Sequence, residues 1–217
     1  MGRVWKNLAG ILLLPFCVGA ARTLVRLLAA SGEASTVWLP LLCGAACWVL
    51  IYAFLPRPMW LYVFGHELTH ALAAWLCGGR VKRFKVSARG GHVVVSKSNW
   101  WVTLGPYFVP IYVVLVLVVF GLGHLLWGWG RHPEWLHLFL GAAYAFHVTL
   151  TWQVLRTRQT DITSQGWFFA AVIIFLGNAV VLMVGLPLLT GKVSLGTVIA
   201  WWLQDTAHVV QWLSQWV

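Results

Sequence analysis

The run His66-Glu67-Leu68-Thr69-His70 holds the residues best suited to chemistry in this chain. Two histidines at i and i+4 share one face of a helix, so both imidazoles reach a single Zn²⁺. A glutamate beside the first histidine is placed to take a proton from a water activated at that metal. Eight His and three Glu among 217 residues would produce this pattern by shuffling only about 0.004 times. Chance is therefore a poor explanation. The bland alternative, a buried Glu paired with one His, leaves the second imidazole one turn away unexplained.

A tetrahedral catalytic zinc takes three protein ligands and keeps one position open. Carboxylates are scarce: Glu33, Glu67, Glu134, Asp161 and Asp205 are the only acids. Glu134 falls at the far end of its apolar stretch and Glu33 in a short loop near the N-terminus. Asp161, in Arg158-Gln159-Thr160-Asp161-Ile162-Thr163-Ser164, lies at a junction on the same side as the motif. His147 is its rival, at a depth close to that of His66 and His70. It could serve as a ligand or hydrogen-bond to one. Asp205 and His208 are more remote choices. The structural alternatives are an N-cap for Asp161 and an interhelical hydrogen bond for His147.

Positioning such a site falls to unusually apolar elements. The chain is 60% hydrophobic and 9% charged, whereas a soluble domain carries about 25% charged residues. This composition excludes a disordered chain. The same composition excludes a secreted disulfide scaffold, and the four Cys lie in or beside apolar segments without zinc-finger spacing. The +10 charge is spread over short loops, which excludes a nucleic-acid binder. Seven apolar stretches run approximately over 8–30, 37–55, 59–77, 101–123, 135–155, 166–189 and 195–216. Trp residues cluster near their ends, as at a membrane interface.

The expected architecture is an all-α polytopic membrane protein with about six transmembrane helices, five to seven. Its segments are N-terminal membrane helices over 1–56, a core over 57–190 and a C-terminal membrane or interfacial helix over 191–217. The first stretch opens like a signal peptide but is interrupted by Arg22 and Arg26, and is read as an anchor or interfacial helix. The last carries Gln204, His208, Gln211 and Gln215 as one polar stripe. Such a helix either spans with the stripe facing the bundle interior or lies in the interface.

Charge sets the expected orientation. The loop from Gly78 to Asn99 holds Arg80, Lys82, Arg83, Lys85, Arg89 and Lys97, and the positive-inside rule places it in the cytoplasm. The same loop alternates over 81–86, offers Gly90-Gly91 as a turn and continues into the β-branched Val93-Val94-Val95. A short cytoplasmic β-hairpin is expected between the motif helix and the next. Gly105, Pro106 and Pro110 break the following stretch. They either open a cavity for water and an unwound substrate, or kink the helix for close packing.

The run Gly65-His66-Glu67-Leu68-Thr69-His70-Ala71-Leu72-Ala73, then Gly78-Gly79-Arg80-Val81, then Gly105-Pro106, resembles the site-2 protease family of intramembrane zinc metalloproteases over about residues 59–180. The resemblance implies that His66 and His70 bind zinc, that Glu67 is the catalytic base and that Asp161 is the third ligand. It implies a three-helix core from the 59–77, 101–123 and 135–155 stretches, and a hairpin edge on which an extended substrate could add a strand. Gly105, Pro106 and Asn178 become candidates for the substrate cavity. Thr160-Asp161-Ile162 stands where the family usually has Leu-Asp-Gly, and Asn178 follows the Asp instead of preceding it. Both features mark a divergent branch.

The functional expectation is an intramembrane zinc metalloendopeptidase with one Zn²⁺ per chain, its site towards the cytoplasmic side of the plasma (inner) membrane. Its partners would be the bilayer and a membrane-protein substrate, with no nucleic acid. The alternative is a non-proteolytic metal-binding membrane protein, either scaffold or transporter. The other multi-pass class with this motif uses a downstream Glu, and none follows Glu134.

Overall fold

The computed structural model describes residues 2–87 and 90–216. Its elements are α1 (Arg3–Ser31), α2 (Ser35–Phe54), α3 (Met59–Leu76), β1 (Val81–Ser87), β2 (Gly90–Val95), α4 (Trp100–Leu104), α5 (Ile111–Trp127), α6 (Pro133–Leu155), α7 (Thr160–Gln165), α8 (Trp167–Thr190) and α9 (Leu195–Ser214). Single 3₁₀ turns at Gly105–Tyr107 and Trp129–Arg131 flank α5. The chain divides into two compact units, Thr36–Gln159 and Met1–Ser35 with Thr160–Val217.

Among the described residues, four helices, α1, α2, α6 and α8, are long and apolar enough to cross a membrane. A fifth span arises if Trp100–Tyr107 and Ile111–Trp127 count as one. The number therefore sits at or below the lower end of the expected five to seven. The stretch expected over 101–123 is not one rod: its two halves meet at 78°. Pro106 and Pro110 remove successive backbone donors there, so the α-helical ladder cannot run through. The motif helix α3, with 18 residues, falls outside the membrane-length set because His66, Glu67 and His70 dilute its apolar residues. α9 also falls outside it. Its Gln204, His208, Gln211 and Gln215 stripe is exposed while Val198 and Val209 are buried, so the stripe does not face a bundle interior.

In the Thr36–Gln159 unit, α2 and α6 approach through glycines. A Cβ on Gly44 would stand 1.8 Å from the Leu138 carbonyl oxygen, and one on Gly141 1.9 Å from that of Leu41. Only hydrogen in place of a side chain permits this spacing, which is how small residues let apolar helices pack. Beside the contact, Trp48, Tyr62, Phe146 and Leu150 form a buried cluster drawn from α2, α3 and α6. The Trp48 indole donates to Thr149 Oγ1 at 2.8 Å.

β1 and β2 pair antiparallel with Ser87 opposite Gly90 and Val86 opposite Gly91. Gly90 and Gly91 are thus strand residues, not the turn expected for them; residues 88–89 lie outside the described residues. Both strands pack on α3.

In the other unit α1 packs against α8 and α9. A Cβ on Gly19 would stand 2.2 Å from Thr206 Oγ1. Asp205, buried on α9, accepts from Thr23 Oγ1 at 2.9 Å and from the Arg26 guanidinium at 3.2 Å. Arg26 also lies over the Trp201 ring at 4.5 Å. The two arginines that interrupt the first stretch therefore do not stop it from forming one continuous helix.

Candidate metal centre

α3 ends nearly three turns after the first histidine, and its end is built by glycines. Gly78 takes φ +70°, its N–H donates to the Trp75 carbonyl, and the Gly79 N–H donates to that of Ala74. This paired arrangement closes a helix with a left-handed residue. It turns the chain at once into β1, which brings the hairpin back along α3.

Glu67 is 7% exposed and His70 8%, while His66 is half-buried. The His66 and His70 rings stand 4.9 Å apart, centre to centre, at 81°. Tyr107, from the 3₁₀ turn, meets His66 edge-on at 5.2 Å, and Tyr62 flanks the same ring at 5.8 Å. Aromatic rings on two sides restrict the rotamers of that imidazole.

His70 is held differently. Its Nδ1 lies 2.7 Å from the Val102 carbonyl oxygen. A carbonyl can only accept, so Nδ1 carries the proton, and in the neutral imidazole Nε2 carries the lone pair. Metal-ligating histidines are usually oriented in this way, by donating their other N–H to an acceptor. α4 is set in place by Asn99, whose Oδ1 accepts from the Val102 N–H at 2.9 Å and whose carbonyl accepts from Thr103 Oγ1 at 2.8 Å.

The hairpin reaches the carboxylate directly. A Cβ on Gly91 would stand 2.8 Å from Glu67 Cγ and 2.9 Å from Val63 Cγ1. The close passage of β2 over Glu67 is a contact the sequence did not announce. The only signal for it was the second glycine of a pair read as a turn.

His66 and His147 line one cleft with Tyr62, Thr69, Pro106 and Tyr112. Its volume is about 10 Å³, room for a single water. His147, on α6, is 6% exposed, and its Nε2 has no hydrogen-bond partner among the described residues. His147 does not join His66 and His70 in a metal-capable cluster among the described residues. Tyr112 lies against Gly65 and its hydroxyl donates to the Leu61 carbonyl, tying the start of α5 to α3. Gly105 and Pro106 are both buried in the break between α4 and α5.

Of the remaining candidates, all but Glu134 belong to the other unit. Asp161 is half-buried in the first turn of the six-residue α7, and its carbonyl accepts from Ser164 Oγ at 2.8 Å. Asn178 lies within α8, and its Nδ2 donates to the Ile174 carbonyl at 2.9 Å. Asp205 is engaged with Thr23 and Arg26, and His208 is exposed. Glu134 is exposed and lies 3.1 Å from His132 Nδ1.

Two imidazoles on one helix face, one of them with its tautomer set by a carbonyl, and a buried carboxylate between them form a donor set that fits a zinc ion. No protein-family model matches the chain, and no curated protein or solved structure matches it either.

Proposed function

We propose that the chain is an integral membrane zinc metalloendopeptidase similar to the site-2 protease family, cleaving a peptide bond in or near a transmembrane segment of another protein. The observation that carries this reading is a buried Glu67 on the same helix as a buried His70 whose Nδ1 is committed to the Val102 carbonyl. A buried acid in an apolar helix is costly to keep and marks a functional site by default. The apolar helices around it favour a substrate that arrives within the bilayer. Zinc would be held by His66 and His70, with Asp161 as the third ligand that the family resemblance implies.

When bound, zinc would supply Lewis acidity, polarising the scissile carbonyl and acidifying water. Glu67 accepts a proton from the attacking water as its oxygen bonds to the carbonyl carbon. Glu67 then returns that proton to the departing amine as the C–N bond breaks. β2, pressed on Glu67 by Gly91, limits the directions from which the carboxylate can be approached. The site lies towards the cytoplasmic side if the basic hairpin obeys the positive-inside rule.

The test pairs metal analysis with cleavage. Purified wild type should carry about one zinc per chain, and His66→Ala and His70→Ala should lose it. Glu67→Gln should keep the metal yet fail to cut a panel of tagged single-pass membrane proteins that wild type cuts. Equal behaviour of wild type and Glu67→Gln across that panel, with zinc present in both, would favour a metal-binding scaffold or transporter.

A further inference from the structure

In a continuous helix the carbonyl of residue i accepts from the N–H of residue i+4. For Val102 that residue is Pro106, which has no N–H. The tighter alternative, the N–H of Gly105, is already used, because it donates to the Trp101 carbonyl. Neither the α-helical nor the 3₁₀ donor is therefore available to Val102. The donor that reaches it is His70 Nδ1, at 2.7 Å. The same carbonyl is fixed in direction because it shares a peptide plane with the Thr103 N–H, which donates to the Asn99 carbonyl at 2.9 Å.

We propose that Pro106 is a positioning residue for the metal centre: by withholding an N–H it reserves the Val102 carbonyl for His70 and so holds His70 in the tautomer that offers Nε2 to zinc. This assigns the Gly105-Pro106 break a task beyond kinking. The kink alone could be produced by several sequences, whereas an acceptor left vacant at this position requires a residue without an N–H. Any other residue at 106 would bring a backbone donor to compete for the same oxygen. His70 could then carry its proton on either nitrogen, and the Nε2–H form does not ligate through that atom. The inference rests on the metal-site reading above, but its central observable is measurable without metal.

The experiment compares full-length wild type, Pro106→Ala and Pro106→Gly in detergent. The two variants both restore an N–H, but alanine favours helix and glycine does not. Effects due to straightening the helix should therefore differ between them, while effects of the restored donor should be shared. Nitrogen NMR of ¹⁵N-histidine-labelled apo protein, with the His70 signals identified by difference from His70→Gln, reports the tautomer. Competition with a chromophoric chelator reports zinc affinity. Wild type should show His70 protonated at Nδ1. Both variants should show a mixed tautomer and a zinc Kd raised about tenfold or more.

A wild-type His70 that is not protonated at Nδ1 would overturn the proposal. So would variants that keep the wild-type tautomer, or that change tautomer with zinc affinity within about twofold of wild type, well below the usual effect of losing such a partner. Absence of zinc binding in wild type would instead sink the metal-site reading. The tautomer comparison would then decide alone whether Pro106 controls His70.

Discussion

A Cβ placed on Gly91 would stand 2.8 Å from Cγ of Glu67. The hairpin and the proposed catalytic carboxylate are therefore in direct contact. Gly91→Ala must push β2 outward or displace Glu67, because the Lys85 carbonyl oxygen, at 2.8 Å, blocks retreat along the sheet. A displacement of about 1 Å in a catalytic group costs roughly 100-fold in rate. Gly91→Ala should therefore lose roughly that factor in cleavage while retaining zinc. Gly90→Ala makes a useful comparison, since a Cβ there meets nothing within 4 Å although φ of +143° strains the backbone. An equal loss in both variants would assign the effect to hairpin folding and not to contact with Glu67.

His147 decides between two ligand sets. Its Nε2 is buried without a protein partner among the described residues, in a cleft with room for one water. His147→Phe removes that nitrogen at similar volume. If Asp161 is the third ligand, His147→Phe should keep its zinc and Asp161→Ala should lose it. Removing an unsatisfied buried nitrogen should also leave stability unchanged or raise it by about 1 kcal/mol, read by denaturant titration in detergent. Retained zinc in Asp161→Ala with loss in His147→Phe would reverse the ligand assignment.

What the sequence revealed, and what it hid, follows from the range of the forces involved. The motif helix, the hairpin and the long apolar helices were legible because periodicity and apolar runs are local properties. Gly105, Pro106 and Pro110 announced a break, but not that its halves would meet at 78°. The bent arrangement includes Tyr112 packed against Gly65, a contact made across separate helices that no local pattern reports. The strand role of Gly90 and Gly91 was hidden for a similar reason: glycine pairs favour turns locally, and only the fit of β2 over Glu67 requires glycine there. α7 is too short and polar, as Thr160-Asp161-Ile162-Thr163-Ser164-Gln165, to give a periodic signal. The exposure of the α9 stripe was undecidable because one amphipathic pattern serves both an inward-facing span and an interfacial helix.

The glycine contact between α2 and α6 should be sensitive to a single carbon. Gly141→Ala and Gly44→Ala each place a Cβ within 2 Å of a backbone oxygen on the facing helix, so the helices must separate. Overpacking of this kind costs about 1–3 kcal/mol. Separation should also loosen Phe146, whose ring lies tilted against Trp48 with centres 4.8 Å apart, and with it the neighbouring His147. Both variants should unfold at lower denaturant, and Gly44→Ala/Gly141→Ala together should cost less than the sum because one separation relieves both clashes. Additive losses would mean that the two contacts yield independently.

Asp205 tests whether the acids form a relay through the molecule or serve separate tasks. In a transport reading its carboxylate must take up and release charge. In the structure it accepts from Thr23 and Arg26, which is the setting of a fixed structural pair. Breaking a buried ion pair costs about 3–5 kcal/mol, but the Arg26 side chain is 42% exposed, so solvent screening reduces the figure to about 1–2 kcal/mol. Asp205→Ala should lose stability on that scale. Asp205→Asn should lose less, because its amide oxygen still accepts from Thr23 Oγ1. Zinc content and cleavage per folded molecule should match wild type in both variants. Loss of cleavage in a folded Asp205→Asn protein would place this carboxylate in the chemistry and restore the relay.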